Sequence, residues 1–102
     1  IHGFMKTLAM EAGPFGIRAN AIAPGCVEGA RIDAVIEREA AKKKTTSDII
    51  REAYKSGTSL KTFVNAEDIA AMALYLASDQ AIRISGQVIA VDGHTENPDP
   101  KI

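Results

Sequence analysis

Pro24-Gly25-Cys26-Val27 is the segment whose residue types could bring backbone against a flat ligand. A Pro-Gly pair turns the chain sharply, and Gly has no side chain to obstruct close approach. The same pair also serves as an ordinary strand-terminating turn. Cys26 carries a nucleophilic atom, but no His neighbour is present to activate it, and a small thiol packs well. His2 sits in a helical pattern without a ligand partner nearby, and His94 reads as a surface or interface residue. Lys42-Lys43-Lys44 could grip a phosphate or an acidic carrier, though a short charge run more often solvates a helix face. One cysteine excludes an internal disulfide framework and a cysteine-rich zinc site, so no metal centre is expected.

The elements that must position these residues follow from patterning. Ile1, Met5, Leu8 and Ala12 form one helical stripe already running at the first residue, with no N-cap before it. It reads as a helix cut in its middle and ended by Gly13-Pro14 and Gly16. Residues 17–23 are short, small and apolar between Gly16 and Pro24, as in a buried strand. A helix is expected over Arg31 to about Lys44. A second follows, capped by Thr45 with Asp48 in a capping box and stopped by Gly57. Residues 56–64 read as loop. Asn65 is a good N-cap, with Glu67 and Asp68 favouring the dipole of a helix ending near Ala77. Gln87–Val91 reads as a second strand, and Glu96–Pro100 as an extended tail.

The order helix, strand, helices, strand gives an α/β class with two parallel strands joined by a long helical crossover. Two parallel strands make no stable sheet alone, so the pattern fits the C-terminal end of a larger doubly wound domain.

Composition narrows the function. The 102 residues are 46% hydrophobic and 25% charged, with a formal net charge of -1. That balance, with 5% aromatics and no Trp, gives no basic, aromatic surface for nucleic acid. No apolar run reaches the roughly 18 residues of a membrane span. A single cysteine and no targeting pattern lead us to expect a reducing, cytoplasmic setting.

Residues 16–25, Gly-Ile-Arg-Ala-Asn-Ala-Ile-Ala-Pro-Gly, resemble the "GIRVNAIAPG" signature of the short-chain dehydrogenase/reductase family. Residues 65–70 and 74–79 resemble that family's penultimate helix. Residues 84–93, Ile-Ser-Gly-Gln-Val-Ile-Ala-Val-Asp-Gly, resemble its last strand, and Leu8-Ala9-Met10-Glu11 the end of its catalytic helix. The resemblance implies that residues 1–102 are the C-terminal part of one Rossmann-type, NAD- or NADP-binding domain. It implies hydride transfer between the nicotinamide and an alcohol/ketone pair, and a homo-oligomer, tetramer or dimer.

By that resemblance the Gly-rich turn, the catalytic Ser and the Tyr-x-x-x-Lys pair lie before Ile1. Tyr54 is followed four residues on by Thr58, and Tyr75 by Asp79, so neither forms the Tyr-x-x-x-Lys pair in which an ammonium activates the phenol. No catalytic residue is therefore expected in this chain, which alone should be inactive. The resemblance assigns cofactor contacts to Pro24, Gly25, Cys26 and Val27, the Val27 backbone holding the carboxamide. It places a substrate lid at about residues 28–64, with Glu28, Ile32, Leu60 and Phe63 as candidate substrate contacts; plain lid packing is the competing role for the apolar three, and a lid hinge for Glu28. Two positions depart from the family: Gly29 where Thr is common, and His94 where a second Gly is usual. A non-catalytic relative kept for assembly is the alternative reading.

Overall fold

The computed structural model describes residues 2–95. The extended tail expected over 96–100 lies outside these residues, as does Ile1 of the first helical stripe. Helix α1 spans His2–Ala12 and passes into a 3₁₀ turn, Gly13–Phe15, closed by Gly16 at φ 75°. Strand β1 is Ala21–Pro24, and helices α2 (Ala30–Lys43) and α3 (Ser47–Ser56) follow. Helix α4 (Ala66–Ala77) and a 3₁₀ turn (Asp79–Ala81) lead into strand β2, Val88–Val91. The two strands pair in parallel, with Ala21 opposite Val88 and Pro24 opposite Val91.

Both strands are shorter than the sequence pattern suggests. Residues 18–20 lie beside the sheet, where Gly86 N donates to Ala19 O at 2.7 Å and the other bonds involve side chains. Arg18 Nη1 donates to Leu76 O at 2.7 Å, near the C-terminal end of α4, where a cation meets otherwise unpaired carbonyls. Asn20 Nδ2 donates to Ile84 O at 3.0 Å, and Asn20 Oδ1 accepts from Gln87 N at 3.1 Å. These bonds tie the approach to β1 onto the approach to β2. Polar side chains within an apolar run thus add a staple to the backbone bond at Ala19.

Helix capping also differs by one residue. Thr46, at φ −92° and ψ 154°, caps α3 by accepting from Ile49 N at 3.3 Å. Thr45, the residue expected to cap, donates its N–H to Ala40 O at 2.9 Å and so closes α2 instead. Asn65 caps α4 as expected, and Asp68 Oδ2 accepts from Asn65 N at 2.7 Å to complete a capping box.

The main buried cluster lies in the segment between the strands, not on the sheet. Ile36, Ala40, Ile50 and Phe63 are buried together, with Cys26, Ile32 and Tyr54 packed against them. No residue of either strand is buried. Phe4, Met10, Phe15 and Leu74 are each more than 70% exposed. The Cα radius of gyration is 17.0 Å, against about 13 Å for a compact chain of this length. No helix among the described residues is long and apolar enough to cross a membrane.

Candidate functional site

Strand β1 ends at Pro24, and Gly25 to Val27 run on beyond its C-terminal end. Gly25 N donates to Val91 O at 3.0 Å, which presses the loop against the end of β2. A Cβ on Gly25 would stand 2.7 Å from Asp92 Cβ and 2.8 Å from Asp92 Cα. The absent side chain therefore makes room first for Asp92, whatever else the loop approaches.

Val27 then bridges to Val64 in the parallel sense. Val64 N donates to Cys26 O at 3.0 Å, and Glu28 N donates to Val64 O at 2.8 Å. Both bonds use the neighbours of Val27, not Val27 itself. A trans peptide is planar, with its N–H and C=O opposed, and no peptide bond described is cis. Cys26 C=O facing Val64 turns the Val27 N–H away from it. Glu28 N–H facing Val64 turns the Val27 C=O away as well. Val27 so presents one donor and one acceptor on the side opposite Val64.

Two cavities adjoin this loop. One of about 400 Å³ is lined by Pro24, Gly25 and Cys26 from the loop, Tyr54 and Thr58 from the α3 end, and Phe63. The other, about 520 Å³, holds Val27, Glu28, Ile32 and Val35 along the start of α2. Burial pushes the Cys26 thiol pKa up, which leaves less thiolate and argues against a nucleophile.

The sequence-derived contacts divide between these spaces. Phe63 belongs to the buried cluster and also borders the 400 Å³ cavity. Ile32 packs against that cluster and faces the second cavity. Leu60 is 69% exposed and lines a third depression, with Val91 and His94. Glu28 is exposed and ion-paired: Arg51 Nη1 lies 2.9 Å from its Oε1, while Arg51 Nη2 meets Asp33 Oδ1. The hydrogen bond to Asp33 is the largest influence raising the Arg51 pKa, so the guanidinium stays charged.

The end of β2 is sewn to the segment after α3. Ser59 N donates to His94 O at 2.8 Å and Leu60 N to Gly93 O at 3.1 Å. His94 sits at φ 62°, the left-handed region that glycine adopts freely and His tolerates. Glycine would adopt that conformation without strain. Asp92 Oδ1 accepts from His94 N at 2.9 Å and steadies the turn. Arg51 gave no sequence signal, because its carboxylate partners lie 18 and 23 residues away. Arg18, Asn20 and Asp92 stand inside the motif runs, where their polarity among apolar neighbours was the available sign.

This arrangement has known counterparts. The family model for enoyl-(acyl carrier protein) reductase matches residues 1–94. The chain belongs to the short-chain dehydrogenase/reductase family. It is 35% identical over 94 residues to D-beta-hydroxybutyrate dehydrogenase of Rhizobium meliloti (strain 1021), covering 91% of this chain and 36% of that protein. The solved structure of YwfH, an NADPH-dependent reductase involved in bacilysin biosynthesis, superposes with a TM-score of 0.82 at 30% identity, over 96% of this chain and 37% of that one. That of 4-hydroxyisoleucine dehydrogenase complexed with NADH gives 0.71 at 33%, over 91% and 35%. The chain thus spans about a third of the length of the relatives it matches. The short-chain dehydrogenase fold class expected from sequence holds, with helices and a parallel pair of strands.

Proposed function

We propose that this chain forms the nicotinamide side of an NAD- or NADP-dependent oxidoreductase acting on an alcohol/ketone pair. The carrying observation is the outward N–H and C=O of Val27. A primary carboxamide has one acceptor oxygen and an NH₂ donor, so a single residue's backbone pair can hold it. Pro24, Gly25 and Cys26 supply the uncharged surface against which the ring rests. When bound, the nicotinamide supplies or accepts the hydride.

The lid residues take the substrate side of the same loop. Phe63 lines the first cavity, Ile32 lines the second, and Leu60 offers an exposed apolar surface. Glu28 stands at the second cavity with its carboxylate held by Arg51. Tyr54 and Tyr75 lack a Lys four residues on, so the chain by itself turns over no substrate. Exposed Phe4, Met10 and Leu74 on α1 and α4 favour a homo-oligomer, dimer or tetramer, and equally the reading of a non-catalytic assembly fragment. A single cysteine favours the reducing cytoplasm.

Val27→Pro tests the assignment. Proline deletes an N–H that makes none of the bridge bonds, and it suits an extended neighbour at Cys26. NADH and NADPH affinity is expected to fall about fivefold, the worth of one hydrogen bond. ADP-ribose, which has no nicotinamide, should bind Val27→Pro and Val27→Ala alike. Unchanged NAD(P)H affinity in Val27→Pro sinks the assignment.

A further inference from the structure

The side chain that reaches both sides of the Val27–Val64 bridge is Arg51. Its guanidinium meets Glu28, the residue after Val27, at 2.9 Å. The same group lies 5.5 Å from the centre of the Phe63 ring, the residue before Val64. Its second branch meets Asp33 in the first turn of α2. Arg51 itself projects from α3. One planar fork thus joins α3 and the start of α2 to both chains of the bridge. Its side chain is 25% exposed, against 46% for Glu28, so the pair is partly shielded from solvent.

We propose that Arg51 is a positioning residue that sets the direction of the Val27 backbone. This rests on the assignment of residues 24–27 to the nicotinamide. Glu28 N–H and Val27 C=O share one peptide plane, so a restraint on Glu28 is a restraint on the Val27 acceptor. Without Arg51 the plane is held by the Val64 bonds of an isolated bridge, with the next backbone anchors at Gly25 and Gly29. A lysine cannot reproduce the arrangement. Its single ammonium reaches one carboxylate as a point charge, whereas guanidinium serves two while lying over a ring.

The geometry also separates this role from a contribution to stability. Both carboxylate partners of Arg51 are about half exposed, and such ion pairs add little to folding free energy, so removing Arg51 should disturb local order more than overall stability. The test compares the intact protein with Arg51→Met and Arg51→Lys. Amide hydrogen exchange is read at residues 28 and 64, and titration with NADH and NADPH gives affinity. Arg51→Met should speed exchange at those two amides about tenfold and weaken NAD(P)H binding about fivefold. Exchange within β2 and α4 should be unchanged, and Arg51→Lys should recover part of both losses.

Unaltered exchange at residues 28 and 64 overturns the proposal. So does acceleration that spreads evenly through β2 and α4, which marks general destabilisation. A wild-type protein that binds neither cofactor overturns the assignment of the loop and, with it, Arg51's part in cofactor binding. The exchange comparison distinguishes that outcome from failure of the clamp itself.

Discussion

Gly25→Ala is the substitution whose cost can be worked most directly from the structure. The new Cβ would lie 2.7 Å from Asp92 Cβ, 2.8 Å from Asp92 Cα and 3.3 Å from Asp92 O. Carbon atoms normally sit about 3.5–4.0 Å apart when they touch, so the two segments must separate by roughly 0.7 Å or more. Two of the three atoms are backbone, which no rotamer change can move. The separation also stretches the 3.0 Å bond from Gly25 N to Val91 O. Overpacking of this kind costs about 1–3 kcal/mol, and the loss of unfolded-chain freedom returns about 0.4–1 kcal/mol. A net destabilisation of about 1–2 kcal/mol is expected by denaturant unfolding. Gly3→Ala is the matched control. It lies within α1 with nothing within 4 Å of its Cβ position, so it should stabilise by about 0.5–1 kcal/mol. Asp92→Gly combined with Gly25→Ala removes the side-chain clash but leaves the backbone one, so rescue should be incomplete. A Gly25→Ala protein as stable as wild type would refute the close-approach argument.

Two further outcomes follow from local conformation and burial. Lys44 terminates α2 at φ 56° and ψ 46°, so Lys44→Gly should stabilise by about 0.5–1 kcal/mol, read as a higher unfolding midpoint. Burial raises the Cys26 pKa, so its reaction with a disulfide reagent should lag behind a free thiol near neutral pH. The partly buried thiol favours its protonated form. Its contribution to stability is therefore intact below the ordinary thiol pKa and is lost as pH rises through the raised value. Thiol-exchange rates and unfolding midpoints across that window check both statements; a Cys26 as reactive as a free thiol contradicts them.

Much of this was legible in residue types. Asn65 with Asp68 three residues on marks the start of α4, because both groups act within one turn. The glycine and proline positions around residues 13–16 and 24–25 mark the ends of α1 and β1. The match of residues 1–94 to one family bears out the reading of the motif runs. What stayed hidden depends on partners distant in sequence. The burial of Phe63 is made by Ile36, Ala40 and Ile50, and no periodicity within residues 56–64 announces it. The strands were read too long because Arg18 and Asn20 look tolerable in a strand until their partners near Ile84 are known. Thr45 and Thr46 are equivalent as types, and only the backbone bond from Thr45 to Ala40 decides which one caps α3.

The bridge between Val27 and Val64 has a consequence for how such a chain changes over generations. Residues 28 to 63 leave and return beside that pair, carry the cluster around Ile36 and Ile50, and are bonded to the end of β2 through Ser59 and Leu60. The bridge itself sets the spacing between the chain leaving β1 and the chain entering α4. Doubling a loop's length costs only about 0.6 kcal/mol in closure entropy. Length changes in the connection between α2 and α3 can therefore accumulate while the frame around Pro24, Gly25 and Asp92 keeps its bonds.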